Sequence, residues 1–71
     1  MTTFSERLVE LRKCASLTQK QLADATGMNV RGIQFYEAGR IPDYPSLIKL
    51  ADFFNCSLDY LVGRSDNPER R

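Results

Sequence analysis

Apolar residues recur every three or four positions through most of the chain, which is the spacing of one face of an α-helix. The first such segment begins at Thr3, and Glu6 three residues later completes a capping box. We therefore predict a first helix from Thr3 to Cys14 or Ala15. Its inward positions are Phe4, Leu8 and Leu11.

Two further segments of helical spacing occupy the second half of the chain. Asp43 can cap the first of them, and Pro45 then falls in the first turn, where a missing N–H has no cost. Ser57 can cap the second, and Gly63 ends it. The predicted inward positions are Leu47, Leu50, Ala51 and Phe54, followed by Leu58, Leu61 and Val62.

The segment between these parts predicts two short helices joined by a tight turn. Thr18 and Gln21 form a second capping box, and Gly27 supplies the positive φ that a sharp turn requires. Asn29 can cap the second helix, and Gly39 ends it. Two helices that cross steeply through a short turn form a helix-turn-helix, the unit that places its second helix in the major groove of DNA.

Length and composition agree with a single small all-α domain. The chain has 71 residues, 42% of them hydrophobic, and no apolar run approaches a membrane span. We expect the domain to cover residues 1–63 and a polar, frayed tail to cover residues 64–71. The start, M-T-T-F-S-E-R, lacks the pattern of a signal peptide, so we expect a cytoplasmic protein.

The charge is more informative in its distribution than in its total, which is +1. Residues 18–40 carry Lys20, Arg31 and Arg40 against Asp24 and Glu37. Residues 41–62 carry Lys49 against Asp43, Asp52 and Asp59. The half that contains the helix-turn-helix is therefore mildly basic, and we expect a modest affinity for DNA per subunit.

The residue types disfavour an enzyme. The chain has no histidine, and Cys14 and Cys56 lack metal-ligand spacing, so we predict no metal and no cofactor. We also find no nucleophile–base constellation and no phosphate-binding glycine loop. The two thiols are expected to be buried or inert rather than joined in a disulfide.

A series of spaced motifs runs through the chain. The series comprises L-T-Q-K-Q-L-A at Leu17–Ala23, Gly27, Ile33, Y-E-A-G at Tyr36–Gly39, Pro42, L-I-K-L-A at Leu47–Ala51 and S-L-D-Y-L-V-G at Ser57–Gly63. In this order and spacing it resembles the repressor/Cro-type, or XRE-family, helix-turn-helix DNA-binding domains over about residues 4–63. The resemblance implies a compact five-helix, lambda-repressor-like fold and double-stranded DNA as the partner.

The outward residues of the second helix of the motif are the candidates for reading bases. Arg31 matches guanine O6 and N7, although it can also be a phosphate contact or a solvated surface arginine. Gln34 can pair with adenine or simply be solvated. Val30 and Phe35 stand where the family more often has polar residues. Each can contact a thymine methyl, while Phe35 can instead tuck into the core, and the pair can mark a protein partner. We predict base contacts from Val30, Arg31, Gln34 and Phe35.

Phosphate contacts are expected from the edges of the motif. The resemblance places Gln19 against the DNA backbone, and Lys20 and Arg40 are the cations best located to support it, the alternative being solvated charges. Asn29 is either a cap alone or a phosphate contact. Gly32 is unusual inside a helix, where it allows a close approach to DNA or is merely tolerated.

The resemblance also implies an ion pair between Arg12, near the end of the first helix, and Glu37, near the end of the third. The alternative is two solvated surface charges. If the pair forms, it joins these two helices, and the loss of one partner leaves the other charge buried without a counter-ion.

A domain of this size contacts only a few base pairs, so we predict a homodimer on a palindromic operator. Phe53 lies beside the inward stripe of the fourth helix, and we predict Phe53, Tyr60 and Val62 as the interface. The alternative is that these side chains complete a small core.

Taken together, the sequence predicts a transcriptional regulator that binds operator DNA without catalysis, without a small-molecule substrate and without a membrane. A repressor is favoured, although no residue separates a repressor from an activator. The alternative is a protein-interaction module of the same fold, antitoxin-like or antirepressor-like, that uses Val30 and Phe35 against a protein.

Overall fold

The computed structural model describes residues 2–69, and these form five α-helices and no strand. The helices are α1 (Phe4–Cys14), α2 (Gln19–Thr26), α3 (Val30–Glu37), α4 (Tyr44–Phe54) and α5 (Leu58–Leu61). The predicted all-α fold of five helices is confirmed. Met1, Arg70 and Arg71, at the ends of the predicted domain and tail, lie outside the described residues.

Each of these helices begins at the capping residue that the sequence predicts. In α2 the Thr18 N–H donates to Gln21 Oε1 over 2.8 Å, and the Gln21 N–H donates back to Thr18 Oγ1 over 3.1 Å. Thr3 and Glu6 form the same reciprocal pair at the start of α1. Single caps are supplied by Asn29, Asp43 and Ser57. These bonds satisfy N–H groups that a helix leaves free at its start.

The core takes one fully buried aliphatic side chain from every helix of residues 2–69. These side chains are Leu8, Leu22, Ile33, Leu50 and Leu61, each with 0% exposure. Phe4, Ala23, Ala51 and Cys56 complete the buried cluster, and the other predicted inward residues are half-buried against it. Since no helix can bury its apolar face alone, the five helices stabilise one another through this one core.

The packing leaves the outward side of α3 open to solvent. Helix α3 lies against α1 and α2, whereas α4 lies against α2 and α5. The turn between α2 and α3 is made by Gly27, whose φ is 71°, and the Met28 N–H donates to Ala23 O over 2.9 Å. Ala23 is itself buried, with 2% exposure.

The chain after α5 differs from the frayed tail that the sequence predicts. The Ser57 N–H donates to Pro68 O over 3.1 Å, and Asp59 O accepts from Arg64 and Ser65. Arg7, a buried residue that the sequence analysis did not identify, pairs with Asp66 over 3.3 Å. Residues 64–69 therefore fold back onto α1 and α5, because the polar groups of this segment find partners there.

The buried guanidinium of Arg7 is held on several sides. It lies 3.8 Å above the centre of the Tyr60 ring and pairs with Glu10 over 3.2 Å. The face of the ring attracts the guanidinium and so replaces part of the electrostatic stabilisation that the charge loses when it leaves water.

Along residues 2–69, no helix has the length and apolarity needed to cross a membrane.

Candidate nucleic-acid interface

The predicted base-contact residues lie together on the open side of α3. The Asn29 side chain accepts from the Arg31 N–H over 2.8 Å and so begins the helix. Ile33 is fully buried, which turns the opposite side of α3 outward. The residues exposed on that side are Val30, Arg31, Gln34 and Phe35. An exposed helix face with a guanidinium and a carboxamide can enter a major groove and bind base edges.

Phe35 remains at the surface, with 45% exposure, so the alternative that it tucks into the core does not hold. Its ring lies beneath the guanidinium of Arg40, whose central carbon is 4.9 Å from the ring centre. Val30 is 36% exposed. Two apolar side chains are therefore presented on the same surface as the polar residues of α3.

Glu37 is the centre of a three-residue cluster with Arg12 and Gln19, which we call the Glu37 cluster. Arg12 Nε donates to Glu37 Oε2 over 2.7 Å, and Arg12 Nη2 donates to Glu37 Oε1 over 3.2 Å. Gln19 Nε2 donates to the same Oε1 atom over 3.0 Å. The Arg12 and Glu37 side chains are only 13% and 8% exposed, so they are not the two solvated charges of the alternative.

The Glu37 cluster has an electrostatic consequence for the outward side of α3. Glu37 is the acidic residue of this helix, and its charge is compensated by Arg12 inside the structure. The exposed charged residues of α3 and of the three residues that follow it are Arg31 and Arg40. A surface that carries positive charge without an opposing carboxylate attracts the phosphates of DNA.

The predicted phosphate contacts gather at the ends of α2 and α3. Gln19 and Lys20 lie in the first turn of α2, Asn29 is the cap of α3, and Arg40 follows α3. The start of a helix favours an anion because its N–H groups point outward. Lys20 pairs with Asp24 over 3.6 Å, but both side chains are largely exposed, and such a pair is easily exchanged for a phosphate.

One residue of this region was missed by the sequence analysis. Ser5 Oγ donates to the Tyr36 carbonyl over 2.8 Å and thereby joins α1 to the last turn of α3. A serine in the first turn of a helix has no feature that marks such a contact. With the Glu37 cluster, this bond gives α3 a second fixed point on α1.

The predicted interface residues differ in their surroundings. Phe53 is 39% exposed and lies edge-to-face with Phe54, their ring centres 5.0 Å apart. Tyr60 and Val62 are half-buried against the core, and Tyr60 is covered by Arg7. Two of these three residues thus contribute to the fold, as the alternative expected, whereas Phe53 presents apolar surface.

The cysteines and acidic residues offer no metal site within the described range. Over residues 2–69, the structure contains no group of three His, Cys, Asp or Glu side chains able to hold a metal ion. Cys56 is buried, while Cys14 is exposed at the end of α1, so burial holds for one thiol of the two.

Comparison with known proteins relates this chain to helix-turn-helix regulators. The helix-turn-helix family model matches residues 8–61. The chain is 42% identical over 65 residues to the HTH-type transcriptional regulator YqaE of Bacillus subtilis, covering 90% of this chain and 56% of that protein. It is 40% identical over 62 residues to the phage CTXphi transcriptional repressor RstR of Vibrio cholerae, covering 86% of this chain and 55% of that repressor.

A solved structure agrees with these relatives. The crystal structure of a transcriptional regulator from Listeria innocua superposes with a TM-score of 0.78 at 37% identity, covering 86% of this chain and 58% of that one. The chain thus spans little more than half the length of each of these three proteins.

Proposed function

This chain belongs to the helix-turn-helix family, of the repressor/Cro or XRE type, and on that premise we propose that it binds operator DNA as a transcriptional repressor. Its α3 helix would enter the major groove. The bound protein would occupy a site that overlaps the promoter and so block transcription. Relatives named as repressors, RstR and repressor protein C of phage P2, support this direction of regulation. Action on the chromosome would place the protein in the cytoplasm.

The observation that carries this proposal is the arrangement of charge on α3. Arg31 and Gln34 are exposed on one side of the helix, and the carboxylate of Glu37 is turned inward to Arg12. This separation favours binding of the α3 surface to DNA, because an exposed carboxylate would repel the phosphates.

The contacts follow from the positions of the side chains. Arg31 is assigned to a guanine, Gln34 to an adenine and Val30 to a thymine methyl, since these side chains are exposed on the outward side of α3. Residues near the helix starts and after α3 are assigned to phosphates. These are Gln19, Lys20, Asn29 and Arg40.

A homodimer is the second part of the proposal. The Cα atoms extend over 27 × 23 × 20 Å, which is shorter than one turn of DNA, about 34 Å. One copy can therefore reach one half-site, and a palindromic operator needs a second copy. We assign the interface to α4 and α5, with exposed Phe53 at its centre and Tyr60 and Val62 beside it.

The exposed apolar side chains of Val30 and Phe35 favour one second candidate, a protein-interaction module of the same fold. The two candidates differ in their dependence on salt. A duplex-binding protein that neutralises several phosphates loses affinity steeply as the salt concentration rises, whereas an apolar protein interface is far less sensitive.

The test is selection of bound duplexes from a random pool, followed by a salt titration on the recovered sequence. We expect a palindromic consensus and a linear fall of log affinity with log salt concentration. Failure to bind any duplex at low salt would contradict DNA binding and leave the protein-interaction module. A consensus without two-fold symmetry would contradict the homodimer alone.

A further inference from the structure

Phe35 and Arg40 are joined by the way in which α3 ends. Gly39 has a φ of 122° and its N–H donates to Tyr36 O over 3.2 Å, while the Arg40 N–H donates to Phe35 O over 3.0 Å. This pair of bonds is a Schellman motif, in which the residue after the glycine packs its side chain on the residue whose carbonyl it binds. The backbone thus brings Arg40 back over Phe35.

The side chains of Arg40 and Phe35 are also in contact. Arg40 Cζ lies 4.9 Å from the centre of the Phe35 ring, within the range of a cation–π interaction. Within residues 2–69 Arg40 forms no ion pair and donates no side-chain hydrogen bond. A guanidinium stacked by one face keeps the N–H groups at its edge available for the oxygens of a phosphate.

We propose that Phe35 is a positioning residue that holds the Arg40 guanidinium ready for a DNA phosphate, instead of reading a base itself. This inference rests on the proposed function. This role explains why an aromatic side chain is exposed on the proposed DNA-binding side of α3, because the Phe35 ring holds the Arg40 guanidinium in place.

Two interpretations of Phe35 give different results on substitution. Phe35→Leu keeps an apolar side chain that can touch a thymine methyl, but it removes the aromatic face. Phe35→Tyr keeps the face. A positioning role therefore predicts that Phe35→Leu weakens binding and Phe35→Tyr does not, with the loss the same on every sequence because a phosphate is common to all of them.

The experiment is a double-mutant cycle between Phe35→Leu and Arg40→Ala. Affinity is measured on a duplex of random sequence and on the duplex recovered by selection. We expect Phe35→Leu alone to weaken the affinity for both duplexes by about two- to fivefold. A change of this size corresponds to a cation–π interaction at an exposed site. In the Arg40→Ala background it should have no further effect. Arg40→Ala should also lower the salt slope by about one unit.

Arg64→Ala is the matched control, because it removes an exposed cation from the chain after α5. It should leave affinity and salt slope unchanged. Equal losses from Phe35→Leu in both backgrounds, full affinity in Phe35→Leu, or a loss confined to one base pair would overturn the positioning role while leaving DNA binding intact. No binding of either duplex by the unsubstituted chain would overturn the proposed function and this inference together.

Discussion

Arg12 and Glu37 are 25 positions apart in the chain, and Arg12 Nε lies 2.7 Å from Glu37 Oε2. The pair joins the end of α1 to the last turn of α3 and is mostly shielded from solvent. Glu37 Oε1 also accepts from Gln19 at the start of α2. One carboxylate therefore fixes the orientation of the two helices of the motif relative to α1.

Arg12→Ala is expected to lower the free energy of unfolding by about 3–5 kcal/mol, because it leaves the Glu37 carboxylate buried without its cation. Urea denaturation followed by circular dichroism measures the change. Lys20→Ala is the matched control, since the Lys20–Asp24 pair has side chains 78% and 70% exposed and should change stability by about 1 kcal/mol or less. A loss in Arg12→Ala no larger than in this control would contradict the role of the pair.

Acidification should destabilise the protein through its capping carboxylates. Hydrogen bonds from the Thr3 N–H and hydroxyl lower the pKa of Glu6, and the hydrogen bond with Ser46 lowers the pKa of Asp43. Both pKa values are therefore lower in the folded than in the unfolded chain, so the unfolded chain binds more protons. The stabilisation is present above the ordinary carboxyl pKa of about 4 and is lost as the pH falls through the folded values.

Asp43→Asn separates this effect from acid unfolding in general. Asparagine still accepts from the Ser46 N–H but does not titrate, so the variant should lose less stability than the natural chain between about pH 6 and pH 3. Urea midpoints at a series of pH values give the comparison. Identical pH profiles for the two proteins would show that the Asp43 carboxylate does not contribute.

Arg31→Ala and Gln19→Ala should affect DNA binding in different ways. Loss of Arg31 should reduce discrimination at one base pair by about 1–3 kcal/mol, because a bidentate contact to guanine is removed. Loss of Gln19 should weaken all sequences alike, since a phosphate contact carries no sequence information. Affinities on the selected duplex and on its single-base variants measure both. Equal losses of Arg31→Ala on all duplexes would make Arg31 a phosphate contact.

Phe53→Asp should dissociate the proposed homodimer, because it introduces a charge at the centre of an apolar contact. Sedimentation equilibrium would then report the mass of one chain. Phe53→Leu keeps the apolar surface and should retain the dimer. The interface would lie elsewhere if the Asp variant kept the mass of two chains.

Gly32→Ala should raise the free energy of unfolding by about 1 kcal/mol, because alanine is the better helix former. A methyl group at this position would meet atoms of the Tyr36 ring at 3.9–4.0 Å, which is ordinary contact. Gly63 is the contrast, since its φ is 84° and a methyl group there would collide with the Thr2 carbonyl. Thermal unfolding should show Gly32→Ala as stabilised and Gly63→Ala as destabilised; the reverse order would contradict this account.

Weaker DNA binding by the more stable Gly32→Ala protein would indicate that the glycine permits a close approach to the groove. Unchanged binding would indicate that it is merely tolerated.

The sequence by itself determined the features that depend on neighbours three or four positions apart. Thr3 with Glu6 and Thr18 with Gln21 cap helices because the helix geometry brings these positions together. Gly27 ends α2 for an equally local reason, its freedom to adopt a positive φ. The apolar spacing placed Leu8, Leu22, Ile33, Leu50 and Leu61 inside, since one face of each helix must leave water.

Tertiary structure alone decided where distant side chains meet. Arg7 and Tyr60 stack at 3.8 Å, and Ser5 Oγ binds Tyr36 O, although no local pattern links either pair. The same holds for Gln19, whose amide finds Glu37 only after α2 and α3 have crossed. Contacts of this kind depend on the crossing angles and rotamers that the packed core selects, which helical periodicity does not contain.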